Sequence, residues 1–227
     1  MTAPRLSIII PTLNEEEEIG AALAALQPLR ACGCEVIVAD GGSADATVAR
    51  AQPLADAVMV SEPGRARQQN AGAAAARGGV LLFLHADTRL PDGADGLIGD
   101  GLRETARGWG RFDVRLTGRH PLLRVIERMM NLRSRLTGIA TGDQAIFVRR
   151  DWFREAGGVP EIPLMEDVAL SKALKRRGPP LCLRETVLTS SRRWEQRGVW
   201  RTMVLMWRLR LEYWRGVDPS RLADRYR

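Results

Sequence analysis

The chain has 227 residues, of which 45% are hydrophobic, 27% charged and 5% aromatic, and its net charge is +7. This composition is typical of globular domains and excludes a disordered chain, a collagen and a disulfide scaffold. The three cysteines lack the second pair or nearby histidine that would complete a zinc site, so we expect plain thiols.

The charge is divided unevenly along the chain. Residues 1–110 contain 9 basic and 14 acidic side chains, a net charge of −5, whereas residues 111–227 contain 25 basic and 13 acidic ones, a net charge of +12. The asymmetry indicates that the second half faces an anionic partner, which is a phosphate-bearing substrate, a membrane surface or a nucleic acid.

No stretch of the sequence reaches the roughly eighteen apolar residues of a membrane span. The start of the chain also lacks the pattern of a signal peptide, because four glutamates at 15–18 closely follow the apolar run 6–10. We therefore expect a cytoplasmic protein.

Four short apolar runs predict the strands of a parallel sheet that is covered on both faces. These runs are residues 6–10, 36–39, 57–60 and 80–84. Helices are predicted between them, beginning at Asn14, near Ser43 or Asp45, and at Arg65, with Asn14 as a cap and Glu17 completing a capping box. The alternation predicts an α/β fold with an open, twisted, mostly parallel sheet.

The pattern is weaker beyond residue 84. Helices are predicted over 96–107, 122–136 and 166–177, and strands over 111–116, 145–148 and 187–189.

Ligands of open α/β sheets bind beyond the carboxyl ends of the strands, so the residues that follow each strand are the first candidates. Polar, turn-forming segments occupy those places at 11–15, 40–43, 61–65 and 85–88. Asp40 offers an acceptor for a nucleobase or a ribose hydroxyl, or it only caps the next helix together with Ser43. Glycine-rich dinucleotide and P-loop motifs are missing, so nucleotide phosphates would need a metal ion and arginines.

Asp87 follows a strongly hydrophobic predicted strand and offers a hard oxygen ligand for Mg²⁺ or Mn²⁺. Arg65 and Arg67 lie at the start of the third predicted helix, where unpaired N–H groups also favour an anion. The combination suits a nucleotide diphosphate.

Six motifs, in order, resemble those of the family 2 glycosyltransferases, whose nucleotide-sugar-binding α/β fold is called GT-A. The motifs are residues 7–15, 38–47, 64–73, 85–88, 142–150 and 166–167, and the resemblance covers roughly residues 5 to 195. Within that family the sequence looks closest to a small, soluble bacterial group, some members of which are linked to arsenosugar biosynthesis.

The resemblance implies a donor site for a nucleotide-diphospho-sugar. Asp40 would read the base, and Asp87 would close the D-x-D motif that carries the divalent metal, although His85 stands where the first aspartate of that motif often lies. His85 is either a hydrogen-bonding residue at the strand end or a ligand. The implied nucleotide-binding residues are Pro11, Thr12, Asn14, Glu15, Asp40, Gly41, Arg65, Arg67, Asn70, Ala86, Asp87 and Arg193.

The resemblance also implies a catalytic base. Asp167 would take the proton of an acceptor hydroxyl as that oxygen attacks the anomeric carbon with inversion, although a carboxylate there also stabilises a helix start. The resemblance also implies four acceptor-side residues: Gly142, Asp143, Gln144 and Glu166. For Asp143 the alternative is that it only caps a turn.

Residues 192–215 carry seven arginines and four of the six tryptophans. On a predicted helix, one face would consist of Trp200, Met203, Val204, Trp207, Leu211 and Trp214. Such a helix either lies in a membrane interface or packs on the sheet or on a second subunit. Packing is favoured by further apolar residues on the other side of the helix, at Leu205, Met206 and Leu209. We therefore divide the chain into a GT-A domain over 1–195 and a basic amphipathic extension over 196–227.

Together with the resemblance, these observations predict an inverting glycosyltransferase that uses Mg²⁺ or Mn²⁺. The expected donor is a nucleotide-diphospho-sugar, most simply a UDP-sugar, and the expected acceptor is a small molecule or is linked to a lipid. No nucleic acid is expected as a partner. The amphipathic pattern of the C-terminal helix predicts that this helix contacts the inner face of the membrane or forms a homodimer. The alternatives are a sugar-phosphate nucleotidyltransferase and a non-enzymatic protein that binds anions or a membrane surface.

Overall fold

The computed structural model describes residues 5–226, apart from the side chain of Arg193. The strands are β1 (Leu6–Thr12), β2 (Glu35–Asp40), β3 (Ala57–Val60), β4 (Val80–Phe83), β5 (Thr88–Arg89), β6 (Trp109–Leu116), β7 (Phe147–Arg149) and β8 (Leu181–Thr189). The helices are α1 (Glu16–Ala25), α2 (Gln27–Ala31), α3 (Thr47–Ala51), α4 (Arg65–Ala75), α5 (Ala94–Glu104), α6 (Pro121–Thr137), α7 (Arg150–Glu155), α8 (Glu166–Lys175), α9 (Arg192–Arg197), α10 (Val199–Trp214) and α11 (Pro219–Tyr226). A short 3₁₀ helix covers Gly142–Gln144.

The strands form one sheet in the order β3-β2-β1-β4-β7-β6-β8-β5. β1 pairs in parallel with β2 and β4, so that Ile9 lies between Ile37 and Phe83. β7 runs antiparallel to both of its neighbours, and β5 runs antiparallel to β8. The predicted α/β fold with a mostly parallel sheet is therefore confirmed.

Both faces of β1, β2 and β4 are buried, as their continuous apolar runs predicted. The prediction was wrong for the edge strand β3, where Ala57 and Val60 are exposed. Ile8 and Ile10 of β1 pack in the cluster that contains Ile19 and Leu23 of α1. Ile9 belongs to the cluster on the other face, with Ala66 and Ala73 of α4. This double cover holds the carboxyl ends of β1, β2 and β4 in fixed positions.

The predicted cap of the first helix is wrong. α1 begins at Glu16, and its N-terminal N–H groups are satisfied by the segment after β2: Thr47 Oγ1 accepts from the N–H of Glu15 at 2.8 Å, and Asp45 Oδ2 accepts from that of Glu16 at 3.2 Å. Asn14 instead adopts a left-handed backbone with φ of 55° and accepts from the N–H of Ala44 at 2.9 Å. A tertiary contact has replaced the local one.

Several boundaries also differ from the predictions. The last strand extends over nine residues to become β8, and the helix expected near Ser43 or Asp45 shortens to α3. The strand expected over 145–148 moves by two residues to become β7, because Ala145 has φ of 48° at the end of the 3₁₀ helix.

Gly110 lies in β6 where the strand meets both β7 and β8. A Cβ atom there would meet the backbone oxygen of Leu181 and would lie 2.5 Å from Cζ of the fully buried Phe147. We expect Gly110→Ala to lower the free energy of unfolding by about 1–3 kcal/mol, measured by urea denaturation. Gly99→Ala, on α5 with open space at its Cβ position, is the control and should change stability little or raise it. Equal effects of the two substitutions would contradict the expectation.

The C-terminal helices pack against the segment that leads into α8. Leu209 of α10 and Leu222 of α11 are fully buried in a cluster with Leu164, Met165 and Val168. The opposite face of α10 is exposed, at Trp200, Val204, Trp207, Leu211 and Trp214. Within residues 5–226, none of the helices has the length and hydrophobicity needed to cross a bilayer.

Candidate active site

A cavity of about 170 Å³ opens at the carboxyl edge of the sheet. Residues that follow β4 and residues at the start of α8 line opposite parts of it, and the C-terminal helices contribute to its wall. Of the residues predicted from the sequence, the cavity wall includes Arg65, Asp87, Gly142, Asp143, Glu166 and Asp167. Four of the six sequence motifs therefore converge on one cavity, although 102 residues separate Arg65 from Asp167, whereas the motifs at 7–15 and 38–47 contribute no residue to its wall.

Asp167 is held in place by backbone donors. Its Oδ2 accepts from the N–H of Gly142 at 2.8 Å, and its Oδ1 accepts from the N–H of Val168 at 2.7 Å. The side chain is half-buried and lines the cavity. The contact to Gly142 joins the start of α8 to the 3₁₀ helix, so the two predicted acceptor-side motifs form one unit.

Glu166 lies beside Asp167 in a buried position and pairs with Arg65 across 3.3 Å. Burial raises the pKa of Glu166 above its ordinary value, and the negative charge of Asp167 raises it further, while Arg65 opposes both effects. Met165, which precedes this pair, has φ of 68°, in the left-handed region that non-glycine residues seldom adopt. A buried carboxyl group and a constrained backbone here are typical of a functional site.

The raised pKa of Glu166 predicts how stability depends on pH. Since the folded chain holds the proton more tightly than the unfolded chain, stability falls as the pH rises through the folded-state pKa. Glu166→Gln should therefore melt at a higher temperature than the unsubstituted chain at about pH 7, and the difference should disappear below the unfolded-state pKa of about 4.3. Thermal unfolding at several pH values measures this.

The matched control for this prediction is Glu185→Gln, which alters an exposed carboxyl group of β8 and should leave the melting temperature nearly unchanged. A shift of equal size at both ends of the pH range for Glu166→Gln would show that packing, rather than the charge, causes it.

His85 faces the 3₁₀ helix Gly142–Gln144. Its Nδ1 lies 3.5 Å from Oδ1 of Asp143, and a Cβ atom at Gly142 would lie 2.6 Å from its Nε2. Desolvation tends to raise the pKa of Asp143, but the hydrogen bond and charge of His85, followed by Arg65 and Arg210, outweigh it, so that this pKa is lowered. The geometry favours the hydrogen-bonding alternative for His85.

Asp87 reaches the cavity from the loop between β4 and β5. Its Oδ1 accepts from the hydroxyls of Thr88 at 3.2 Å and Thr189 at 3.4 Å. Burial and then the charge of Asp87 raise the pKa of Glu15, so the two carboxylates are close enough to repel each other. Asp87, in the cavity wall, offers carboxylate oxygens that suit a divalent cation, and Glu15 adds negative charge nearby.

No three histidine, cysteine, aspartate or glutamate side chains within residues 5–226 converge on one point as a closed metal site. Mg²⁺ is commonly held by one or two carboxylates together with substrate phosphates, and Asp87 with Glu15 fits that kind of site. The residues that would hold a metal are thus Asp87 and, nearby, Glu15.

Asp40 is fully buried at the end of β2. Its carboxylate accepts from the N–H groups of Gly42 and Ser43 at 2.9 and 2.7 Å, and from the hydroxyls of Ser43 and Thr12 at 2.5 and 3.1 Å. It therefore shapes the turn through Gly41 rather than capping the next helix, because α3 begins only at Thr47. Direct contact of Asp40 with a base stays a prediction. Pro11 is half-buried beside this turn, and Ala86 is buried.

Gln68 was not singled out from the sequence, yet it joins the carboxyl ends of β1 and β2. Its Nε2 donates to the backbone oxygens of Thr12 at 2.5 Å and Ala39 at 3.1 Å. The signal available in the sequence was a polar side chain on the face of α4 that meets the sheet.

Ten predicted residues lie outside the cavity wall, namely Pro11, Thr12, Asn14, Glu15, Asp40, Gly41, Arg67, Asn70, Ala86 and Gln144. Arg67 pairs on the surface with Glu62 at 2.6 Å and Glu161 at 3.3 Å. Asn70 exchanges two 2.8 Å hydrogen bonds with the backbone of Val159. Gln144 is buried and donates to Ser134 Oγ at 3.1 Å. The last three side chains hold loops in position, and their direct binding of ligands stays a prediction.

Arg193 was predicted to bind the donor, and its side chain lies outside the part that the structure describes. Its neighbour Arg192 lies within 3.5 Å of Glu17 and Glu18, so α9 contacts the start of α1. Other cavity residues that the sequence did not reveal come from the C-terminal segment and include Thr189, Trp194, Met206 and Arg210.

The family model for glycosyl transferase family 2 matches residues 7–150, which is more than half of the chain. The chain therefore belongs to glycosyl transferase family 2. No curated protein sequence gives a significant match.

Solved structures of similar fold agree with the GT-A type. TarS from S. aureus (residues 1–349) has a TM-score of 0.66 at 19% identity, over 82% of this chain and 60% of that one. The mannosyltransferase PcManGT from Pyrobaculum calidifontis, in complex with GDP-Man and Mn²⁺, has a TM-score of 0.60 at 20% identity, over 82% and 57%. Glucosyl-3-phosphoglycerate synthase from Mycobacterium tuberculosis, in complex with Mn²⁺, UDP and glucosyl-3-phosphoglycerate, has a TM-score of 0.58 at 21% identity, over 82% and 71%.

The chain thus spans 60% or less of the TarS and PcManGT chains that it matches. TarS has also been solved in complex with UDP-GlcNAc and with UDP.

Proposed function

We propose that the protein transfers a sugar from a nucleotide-diphospho-sugar to an acceptor hydroxyl, with inversion at the anomeric carbon. The observation that carries the proposal is the placement of Asp87 and Asp167 in the wall of one cavity, each held by hydrogen bonds, at the carboxyl edge of the sheet. Family membership supports the same reaction class, and it does not favour the alternative of a sugar-phosphate nucleotidyltransferase.

The donor would occupy the edge formed by β1, β2 and β4. Its base and ribose would lie at the turns through Pro11, Thr12 and Gly41, and its diphosphate would lie at Asp87. Mg²⁺ or Mn²⁺ held by Asp87 would supply positive charge that stabilises the leaving diphosphate. Mn²⁺ in the complexes of two neighbours of similar fold supports this part of the proposal.

The acceptor would enter between the 3₁₀ helix and α8. Asp167 would accept the proton of the acceptor hydroxyl while Gly142 keeps the carboxylate oriented. Because the hydroxyl oxygen displaces the diphosphate directly from the opposite face, a single displacement inverts the configuration. Glu166 and Asp143 would position the acceptor, through Arg65 and His85 respectively.

The expected donor is a UDP-sugar and the expected acceptor a small or lipid-linked molecule. UDP and UDP-GlcNAc in the TarS complexes support the former, whereas GDP-Man in PcManGT makes the guanine nucleotide the second candidate. Membership of the group linked to arsenosugar biosynthesis, and a cytoplasmic location at the inner face of the membrane, remain parts of the proposal.

Calorimetric titration with UDP, GDP and their sugar conjugates, each with and without Mn²⁺, tests the donor assignment. We expect one nucleotide to bind, with an affinity that rises when Mn²⁺ is present. Absence of binding by the whole panel would overturn the proposed function.

A further inference from the structure

An apolar groove of about 320 Å³ runs between α6 and α10. Its outer part is lined by apolar side chains, among them Ile126, Met129, Met130 and Met203. Its inner end shares four residues with the wall of the active-site cavity, namely Asp143, Trp194, Met206 and Arg210. The groove therefore leads from the protein surface to the proposed acceptor side.

Two arginines stand at the inner end of this groove, Arg133 of α6 and Arg210 of α10. Within the described residues, Nε and Nη2 of Arg133 and Nε of Arg210 are buried and donate to no acceptor. Burial and then the charge of Arg210 lower the pKa of Arg133 to about 10, so Arg133 remains cationic near neutral pH. Buried charged donors without acceptors are costly, and an anion between them would supply the missing acceptors.

The surface around the mouth of the groove is apolar. α6 exposes Val125, Met129, Leu132 and Leu136, and α10 exposes Trp200, Val204, Trp207, Leu211 and Trp214. Met129 and Trp207 belong both to these exposed faces and to the groove, so the apolar surface continues into it. Exposed arginines flank the faces, including Arg128, Arg201 and Arg208. Tryptophans and arginines in this arrangement are typical of a helix surface in contact with anionic lipid.

We propose that the acceptor is an anionic, hydroxyl-bearing lipid whose phosphate lies between Arg133 and Arg210 and whose apolar chain lies in the groove. The exposed faces of α6 and α10 rest on the bilayer from which the lipid enters. This inference rests on the proposed function, because the lipid hydroxyl is the nucleophile. Its oxygen forms the new bond to the anomeric carbon, the bond from that carbon to the diphosphate breaks, the electron pair leaves with the nucleoside diphosphate, and Asp167 takes the hydroxyl proton.

The first experiment measures binding of a short-chain phospholipid below its micelle concentration, through the fluorescence of the protein's tryptophans, two of which line the groove (Trp194 and Trp207). Dihexanoylphosphatidylglycerol is the probe. Dihexanoylphosphatidylcholine has the same chains without the net charge, and glycerol phosphate has the charge without the chains. We expect the phosphatidylglycerol to bind at least about tenfold more tightly than either.

Variants locate the site. Arg133→Gln and Arg210→Gln should each weaken binding of dihexanoylphosphatidylglycerol by about tenfold or more. Arg154→Gln, on the exposed side of α7 and outside the groove wall, removes the same charge and should leave the affinity unchanged. Two separate arginine variants keep the test valid if one of them fails to fold.

Equal binding of the two phospholipids would overturn the proposal that the lipid must be anionic and would indicate only an apolar binding surface. Equal binding of glycerol phosphate would overturn the role of the groove and indicate a site for free phosphate. Equal losses in all three arginine variants would indicate long-range attraction rather than a site. Since no nucleotide is present, these failures are distinct from failure of the proposed function, which the nucleotide titration measures by itself.

Discussion

Asp167→Asn is expected to lower kcat by about 100- to 10,000-fold while leaving donor affinity nearly unchanged. The amide cannot take a proton, but it has the same shape as the carboxylate, and its oxygen can still accept from the N–H of Gly142. The substitution therefore removes the base without removing the contact that joins α8 to the 3₁₀ helix. Steady-state transfer rates and nucleotide titration of the same preparation measure the two quantities.

The matched control is Asp100→Asn, on the exposed side of α5, where the carboxylate pairs only with Arg103 in the described structure. It should retain full activity. An Asp167→Asn protein that turns over at the unsubstituted rate would remove Asp167 from the chemistry, and the group that takes the proton would then have to be sought at the adjacent Glu166.

Asp87→Ala is expected to abolish the part of donor affinity that depends on Mn²⁺. Replacing groups that merely support a metal ligand costs about 10- to 100-fold in metal affinity, so loss of the ligand itself should cost at least as much. The repulsion that raises the pKa of Glu15 should also be relieved, which predicts a lower pKa for Glu15 in the variant. Calorimetric titration with and without Mn²⁺ measures the first effect, and carboxyl NMR measures the second.

Asp92→Ala, in the exposed turn that follows β5, changes the same charge near the same loop and should bind nucleotide normally. If Asp87→Ala binds the donor as tightly as the control in the presence of Mn²⁺, the metal is held elsewhere or is not used.

The first half of the sheet could be predicted because β1, β2 and β4 are buried on both faces and are therefore continuously apolar. β8 gave a weaker signal, since its middle residues, Arg184–Thr186, are exposed and polar. Its place between β6 and β5 is set by contacts far apart in the sequence, which no local pattern reports.

The candidate site was likewise predicted only in part. Asp87 and Asp167 stand in ordered motifs, and the structure brings both to the cavity. Trp194, Met206 and Arg210 line it as well. The apolar residues Leu205, Met206 and Leu209 favoured packing of this helix, but no local pattern indicates that its partner is α8. The prediction that Asn14 caps α1 failed for a related reason. Side chains from the segment after β2, rather than Asn14, accept hydrogen bonds from the N–H groups at the start of α1.

The order of the strands in the sheet has a consequence for folding during synthesis. The block β3-β2-β1-β4 is complete in sequence at Phe83, so it can pair while later residues are still being added. β6 ends at Leu116, whereas its parallel partner β8 begins only at Leu181, and at about 5–20 residues per second that partner arrives several seconds later. In this interval one edge of β6 lacks its partner, and an unpaired strand edge is a template for aggregation.

The opposite edge of β6 is covered by α6, which is made immediately after β6. Asn131 exchanges hydrogen bonds with both backbone groups of Val114, and Glu127 accepts from the N–H of Leu116 at 2.5 Å. These side chains hold β6 against a helix before β8 exists. A nascent chain that stalls before Leu181 would therefore combine the paired block β3-β2-β1-β4 with a β6 that is unpaired on the edge that β8 later covers.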